Sequence, residues 1–374
     1  MSIMKNTLRY SLKSVMKQPV RTLFTIGSGS LCATLMLFLL SVYRGVEVGS
    51  MTYINRNSAD LWVLQDGVTN IMRGSSVLFS TMGEKLKKID GVDTVEPVLY
   101  VLGQARANGH TSTIEIAGYL APDKRGGPPG IVSGRRVKQS GEIVLDRSFA
   151  DKCNIRIGDY VTIHKENLKV VGISSGTNMF VIQYAFTTLA QAQEILGYPG
   201  IVSCYLVSVS KSNDIDSVVT RIKKTIPGIE VYTQGEFTRN NLNEMRAGFL
   251  PILWIIAFIS AFVLGTILTA ILTMNITENR RSFAVMMALG SPSNFLPRFI
   301  TGQALVLSLC GSLSTLVFFF PLMTILESLF PELTTETNLQ QIILVQAISI
   351  AVGYISAIIS IRRIRKIYPS EAFT

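Results

Sequence analysis

The chain has 374 residues, 48% hydrophobic and 16% charged, with a mean hydropathy of +0.37. Soluble proteins carry about a quarter charged residues, so this composition excludes disorder, collagen and secreted disulfide mini-proteins and points to a membrane. Lys and Arg number 35 against 25 Asp and Glu, and the placement of that excess decides between a nucleic-acid surface and a membrane topology.

The N-terminal segment, residues 1–21, carries Lys5, Arg9, Lys13, Lys17 and Arg21 with no acidic residue. This four-residue spacing predicts a cytoplasmic amphipathic helix with a basic ridge, or equally a fixed topogenic charge cluster. Four runs free of Asp, Glu, Lys and Arg follow, at residues 22–43, 247–277, 299–326 and 337–361. Each exceeds the roughly 20 residues a helix needs to cross a bilayer. The first is too long for a signal-peptide core and lacks a small-residue cleavage site around Tyr43-Arg44-Gly45, so it is expected to remain as a span.

Residues 44–246 have ordinary polarity and suit an extracytoplasmic α/β domain. Strands are expected at 59–65, 92–102, 113–119, 204–209 and 229–232, and helices at 82–89 and 214–226. The second helix places Ile215, Val218, Val219, Ile222 and Ile226 on its apolar side. Two strand-helix-strand units predict a split ferredoxin-like fold. The loop Arg125-Gly126-Gly127-Pro128-Pro129-Gly130 breaks the pattern and opens a small, mostly β insert at about 121–200. Within it strands are expected at 142–145, 160–164 and 169–174, and a helix at 189–196.

Residues 278–298 form a cytoplasmic loop, 327–336 an external loop and 362–374 a cytoplasmic tail. The three segments assigned to the cytoplasm hold twelve basic and two acidic residues, which equals the whole net charge of +10. The loop 327–336 holds Glu327, Glu332 and Glu336 and no basic residue. Both termini are therefore expected inside and the large domain outside, and nucleic acid is set aside.

Catalytic signatures are missing. No GxxxxGK[ST] occurs, and Gly27-Ser28-Gly29-Ser30 within the first span reads as small residues for helix packing. His110 and His164 lack metal-ligand spacing, so no metal or cofactor is expected. Cys32 and Cys310 read as packing residues, and Cys153 and Cys204 permit a disulfide without requiring one. No span has an interior Asp, Glu, Lys, Arg or His, which argues against an ion-coupled transporter or an intramembrane enzyme.

The loop NITENRRSFAVMMALGSPSNFLPRF, residues 275–299, predicts a short helix with a glycine stop, or the buried end of the second span. Its NRRSFAVMMALGSPSNF resembles the arginine-rich start, apolar middle and glycine turn of the permease subunits of MacB/FtsX-type ABC transporters, the type VII or mechanotransmission class. The N-terminal LRYSLKSVMKQPVRTLFTIGSGSL, the external phrases ADLWVLQDGV, GEIVLDRSFADKCNIRIGDYVTI and VVGI, and the C-terminal RRIRKIYPSEAF are similar to that family too. One departure is that Ser282-Phe283 stands where the family commonly has a Glu after the arginines.

The resemblance implies a non-catalytic permease subunit of an export or efflux complex in the bacterial plasma (inner) membrane. Its partners would be a separate cytoplasmic ABC ATPase dimer, which binds the ATP, and a second permease chain as a homodimer or close paralogue. Where an outer membrane exists, a periplasmic adaptor of the membrane fusion type would join them. Arg280, Arg281, Phe283, Met286, Met287 and Gly290 are the expected ATPase-coupling residues. Phe283, Met286 and Met287 would fill an apolar groove, the arginines would meet its acidic rim and Gly290 would allow the turn. An FtsX-like transmitter that regulates an external cell-wall hydrolase has the same layout and stands as the alternative.

Overall fold

The computed structural model describes residues 19–57, 59–71, 74–121, 125–178, 182–248, 250–288, 294–331, 333 and 335–364. The basic ridge before Pro19, Gly290 and the tail beyond residue 364 lie outside these. In chain order the elements are α1 (Pro19–Arg56), β1 (Leu61–Gln65), β2 (Leu78–Phe79), α2 (Met82–Lys87), β3 (Val92–Ala107), β4 (His110–Tyr119) and β5 (Ile131–Gly134). Then come β6 (Glu142–Asp146), α3 (Arg147–Lys152), β7 (Tyr160–Ile163), β8 (Glu166–Ser174), β9 (Gln183–Thr188), α4 (Leu189–Leu196), β10 (Ile201–Val202) and β11 (Cys204–Val209). The last are α5 (Ile215–Thr225), β12 (Ile229–Thr233), α6 (Gln234–Ala247), α7 (Leu250–Glu278), α8 (Arg280–Ala288), α9 (Phe295–Leu329) and α10 (Leu339–Ile364). The chain divides into two compact units. One comprises residues up to Tyr43, Pro251–Ile325 and Thr335 onward; the other comprises Arg44–Leu250 and Leu326–Thr334.

Among the described residues four helices are long and apolar enough to cross a membrane: α1, α7 from Pro251, α9 and α10 to Arg362. Without a hydrophobic drive between helices in lipid, small residues let the backbones approach and polar side chains join them. Gly29 of α1 meets Gly311 of α9, and Thr315 donates to the Ser30 carbonyl at 3.3 Å. Gly353 of α10 packs on Ser308, Ser356 donates to the Gly265 carbonyl at 3.0 Å, and Gln346 donates to the Ser312 carbonyl at 2.8 Å. Gly27, by contrast, has open space around its missing side chain.

Two helix boundaries differ from the uncharged runs. Helix α1 continues past 43 to Arg56. The run 247–277 is not one helix, because α6 ends at Ala247 with Gly248 at φ −77° and ψ −124°, and α7 starts at Leu250. An uncharged run reports transfer into lipid, not backbone continuity, and glycine tolerates a break.

The second unit is built on one ten-stranded sheet with the order β12-β1-β11-β3-β4-β9-β6-β8-β5, and β7 pairs with both β3 and β8. In its first part β12, β1, β11 and β3 each pair antiparallel with their neighbours, with α2 between β1 and β3 and α5 between β11 and β12 in the chain. Leu61, Val63, Leu86, Val95, Val207, Val218 and Ile222 form the core there. Val218 and Ile222 lie on it as the helical spacing predicts, whereas Ile215 is 38% exposed.

The expected insert does not form a separate sheet. Strand β3 has 16 residues, about 50 Å of extended chain. Its start pairs with β11 and its remainder with β4, through Val98↔Tyr119 to Ala107↔His110. Leu99, Val101, Ala105, Ile114 and Ile116 of this hairpin share a second core with Ile143, Leu145, Phe149, Val161 and Val170. The hairpin turns at Asn108 and Gly109, φ 48° and 78°, the Asn-Gly pair that suits a two-residue turn. Parallel pairing of β4 with β9 carries the sheet onward.

Candidate functional site

Between the second and third apolar helices, α8 follows α7 after a turn at Asn279. The Asn279 amide donates to the Asn275 carbonyl at 2.8 Å and to its side-chain oxygen at 2.7 Å, and Phe283 N–H donates to the Asn279 carbonyl at 3.0 Å. The end of α7 is also held from the start of α1. Arg21 pairs with Glu278 at 2.6 Å and donates to the Ile271 carbonyl at 3.3 Å.

The apolar side of α8 faces its own bundle. Phe283 is 6% exposed and Ala284 fully buried; Phe283 packs with Leu272, Ile276, Phe299, Ile300 and Ala304, and Met286 lies half-buried against the same cluster. The Phe283 and Phe299 rings meet edge to face at 5.8 Å, and Phe295 stacks on Phe299 at 6.3 Å. The Phe283 ring is thus buried against residues of its own chain. Among the described side chains of α8, Arg281, Ser282 and Val285 are exposed, the last at 43%. Arg280 and Met287 lie within the helix, and their side chains, like Gly290, fall outside the described residues. The i, i+4 positions Arg281 and Val285 share a face. That spacing was available in the sequence, but a hydrophobicity reading favours Phe over Val and so selects the buried face.

No alternative chemistry assembles elsewhere among the described residues. Cys153 and Cys204 are both buried and free, so the permitted disulfide is not formed. Burial pushes the Cys204 thiol up to about 12, which keeps it protonated and unreactive at neutral pH. Among the described residues no group of three or more His, Cys, Asp and Glu side chains could hold a metal. His164 sits at φ 54° in the turn between β7 and β8 and lines a cleft of about 820 Å³ with Arg106, Lys165, Glu166 and Glu194. His110 starts β4 and does not line it.

Two carboxylates of the sheet are perturbed in opposite senses. Burial pushes Glu115 up to about 7, and its strand neighbours are Leu102 and Tyr184. Glu142 is held down at about 2 by the Arg135 guanidinium, whose two nitrogens lie 2.8 and 2.5 Å from its oxygens. Asp146, raised by burial, caps α3 through Ser148 N–H and accepts from the Thr177 hydroxyl at 2.7 Å. Glu142 and Asp146 stand at the two ends of β6, and Asp146 also caps α3, whereas Glu115 lies in the middle of β4.

Residues 22–225 match the MacB-like periplasmic core domain family, and residues 254–369 match the FtsX-like permease C-terminal family. An uncharacterized ABC transporter permease of Mycobacterium tuberculosis is 22% identical over 377 residues, spanning 97% of this chain and 98% of the relative. A putative hemin transport system permease protein of Staphylococcus haemolyticus is 22% identical over 351 residues, spanning 91% and 92%. Among solved structures, the periplasmic region of MacB from Actinobacillus actinomycetemcomitans aligns with a TM-score of 0.38 at 13% identity, covering 49% of this chain and 92% of that one.

Proposed function

Because the chain belongs to the MacB/FtsX family of ABC transporter permeases, we propose that it is the non-catalytic membrane subunit of an export complex that passes ATP-driven motion of a separate ATPase to its sheet-bearing unit. The observation that carries this reading is α8, a nine-residue helix between two apolar helices that is anchored through Phe283 and presents Arg281, Ser282 and Val285 outward. A short amphipathic helix held this way suits a groove on a partner, with Val285 as the apolar contact and Arg281 at an acidic rim. Arg280, Met286, Met287 and Gly290 belong to the same segment and complete the proposed coupling element.

The positive excess in the terminal segments and in the loop of α8 supports cytoplasmic termini, with the sheet-bearing unit on the far side. We read β1-α2-β3 and β11-α5-β12, in the strand order β12-β1-β11-β3, as a split ferredoxin-like porter interrupted by the strands from β4 to β10. Two such chains on an ATPase dimer would form the complex, and the lack of a GxxxxGK[ST] motif supports a separate partner as the site of hydrolysis.

Reversing charge and polarity on the exposed face tests this. Arg281→Glu with Val285→Asp should leave the permease in the membrane and lower copurification of its ATPase at least tenfold. Unchanged copurification and an unchanged rate of ATP hydrolysis would remove α8 as the coupling element.

A further inference from the structure

Two helices of the sheet-bearing unit are gripped by different parts of it. Gly49 and Tyr53 of α1, and Asn57 just past its end, face the strands and loops of the expected insert. Tyr53 is fully buried, stacks on Tyr184 of β9 at 4.8 Å and lies 5.8 Å from the Phe186 ring. Its hydroxyl donates to the Gly126 carbonyl at 2.8 Å and accepts from the Tyr100 hydroxyl at 3.2 Å. Asn57 accepts from Gly126 N–H at 2.6 Å, while its amide donates to the Tyr53 carbonyl. Gly49 packs so closely on the Asn178 carbonyl that any side chain there would collide.

Helix α6 is held by the four-stranded part instead. Phe237 is fully buried and stacks on Trp62 of β1 at 4.3 Å, beside Tyr232 of β12. Asn241 accepts from Ile71 N–H at 3.1 Å.

Several rungs among the described residues join the two helices, and they differ in strength. At the sheet end Gln234 donates to the Ile54 carbonyl at 2.9 Å while accepting from the Trp62 indole at 2.7 Å, and Thr238 donates to Asn55 at 3.2 Å. The Gln234 bonds are partly buried, and breaking them would strand the indole N–H and the helix carbonyl. At the other end the tie is Glu47 with Arg246 at 2.9 Å, with side chains 21% and 53% exposed. Exposed pairs of this kind contribute little and exchange readily with water.

We propose that α1 and α6 pivot about the Ile54–Gln234 knot and part at Glu47–Arg246 during each ATP cycle, flexing the continuous sheet along β3, which pairs with β11 at its start and with β4 along its remainder. Tyr53 is thus a positioning residue, and the ion pair is the tie that the stroke opens. The proposal rests on the permease reading above.

The test is crosslinking in the full chain with its ATPase in bilayers, in a Cys310→Ser background whose remaining cysteines are buried. Glu47→Cys with Arg246→Cys reports on the tie and Asn55→Cys with Thr238→Cys on the knot, using a short cleavable bis-thiosulfonate with and without a non-hydrolysable ATP analogue. The tie pair should change yield at least threefold with nucleotide and the knot pair should not. Locking the tie should stop ATP hydrolysis until reductant restores it. Tyr53→Phe should keep hydrolysis within twofold of the parent while making the knot pair nucleotide-sensitive, which a merely structural role would not do. Equal tie yields in a complex that hydrolyses ATP, or full hydrolysis by the locked form, would overturn the pivot alone. A chain that associates with no ATPase would overturn the permease reading and the pivot with it.

Discussion

Replacing Phe283 by Ala separates an anchor from a docking knob. The ring is 6% exposed, meets Phe299 edge to face and packs on Leu272, Ile276, Ile300 and Ala304. Truncating a buried Phe costs about 3–5 kcal/mol in well-packed cores, and the edge-to-face pair accounts for about 1 kcal/mol of that. Taking the low end of about 3 kcal/mol, since a helix at a bundle surface can relax, the docked population of α8 falls roughly 100-fold relative to the detached one. Phe283→Leu keeps most of the volume and should cost under about 1.5 kcal/mol. Hydrogen exchange of residues 280–288 in the permease alone is the assay. The anchor predicts that Phe283→Ala speeds exchange by one to two orders of magnitude without the ATPase, with Leu intermediate. If exchange in the free permease is unchanged and only ATPase binding weakens, Phe283 reaches the partner directly and the burial argument fails.

Other outcomes follow from the sheet-bearing unit, read through Trp62 fluorescence in a Trp254→Phe background. Glu115 has its pKa raised from 4.5 to about 7, so its protonated form favours the fold below pH 4.5 and this advantage is lost as pH rises through 7. Glu115→Gln should therefore match the parent near pH 4 and exceed it at pH 8, by up to about 3 kcal/mol and less where water reaches the carboxyl; equal stability at pH 8 would contradict its burial. Glu142 shows the opposite sign. Its pKa is lowered from 4.5 to about 2, so the Arg135 pair stabilises above pH 4.5 and fades as pH falls toward 2, and Arg135→Ala should flatten acid unfolding over that window. Gly49→Leu would drive a side chain into the Asn178 carbonyl and should destabilise the unit by about 1–3 kcal/mol, visible as a lower unfolding midpoint.

Strand and helix signals that depend on near neighbours were legible in the residue order. The alternation at residues 59–65 became β1, and the apolar spacing of Val218 and Ile222 became the buried side of α5. Helix α6 was also announced, by a capping box from Thr233 to Glu236, but its few apolar residues masked it. The Asn108-Gly109 turn was a similar signal that the shorter expected strand at 92–102 left unused. Strand β9 was harder to recognise, since its identity rests on pairing with β4 and β6 rather than on its own alternation.

Residue order alone determined the four apolar helices, the basic excess in the terminal and α8 segments, and the lack of a phosphate-binding loop. Each is a sum or pattern over a short window, and transfer into lipid depends on little else. Only the folded chain decided that Phe283 turns inward while Val285 and Arg281 turn outward, that β3 serves two cores, and that α1 and α6 meet at Ile54 and Gln234. The bond from Gln234 to the Ile54 carbonyl joins residues 180 positions apart, and the pair Arg21–Glu278 spans 257. Burial and partnership at that range depend on which surfaces packing brings together, and no local window carries that information.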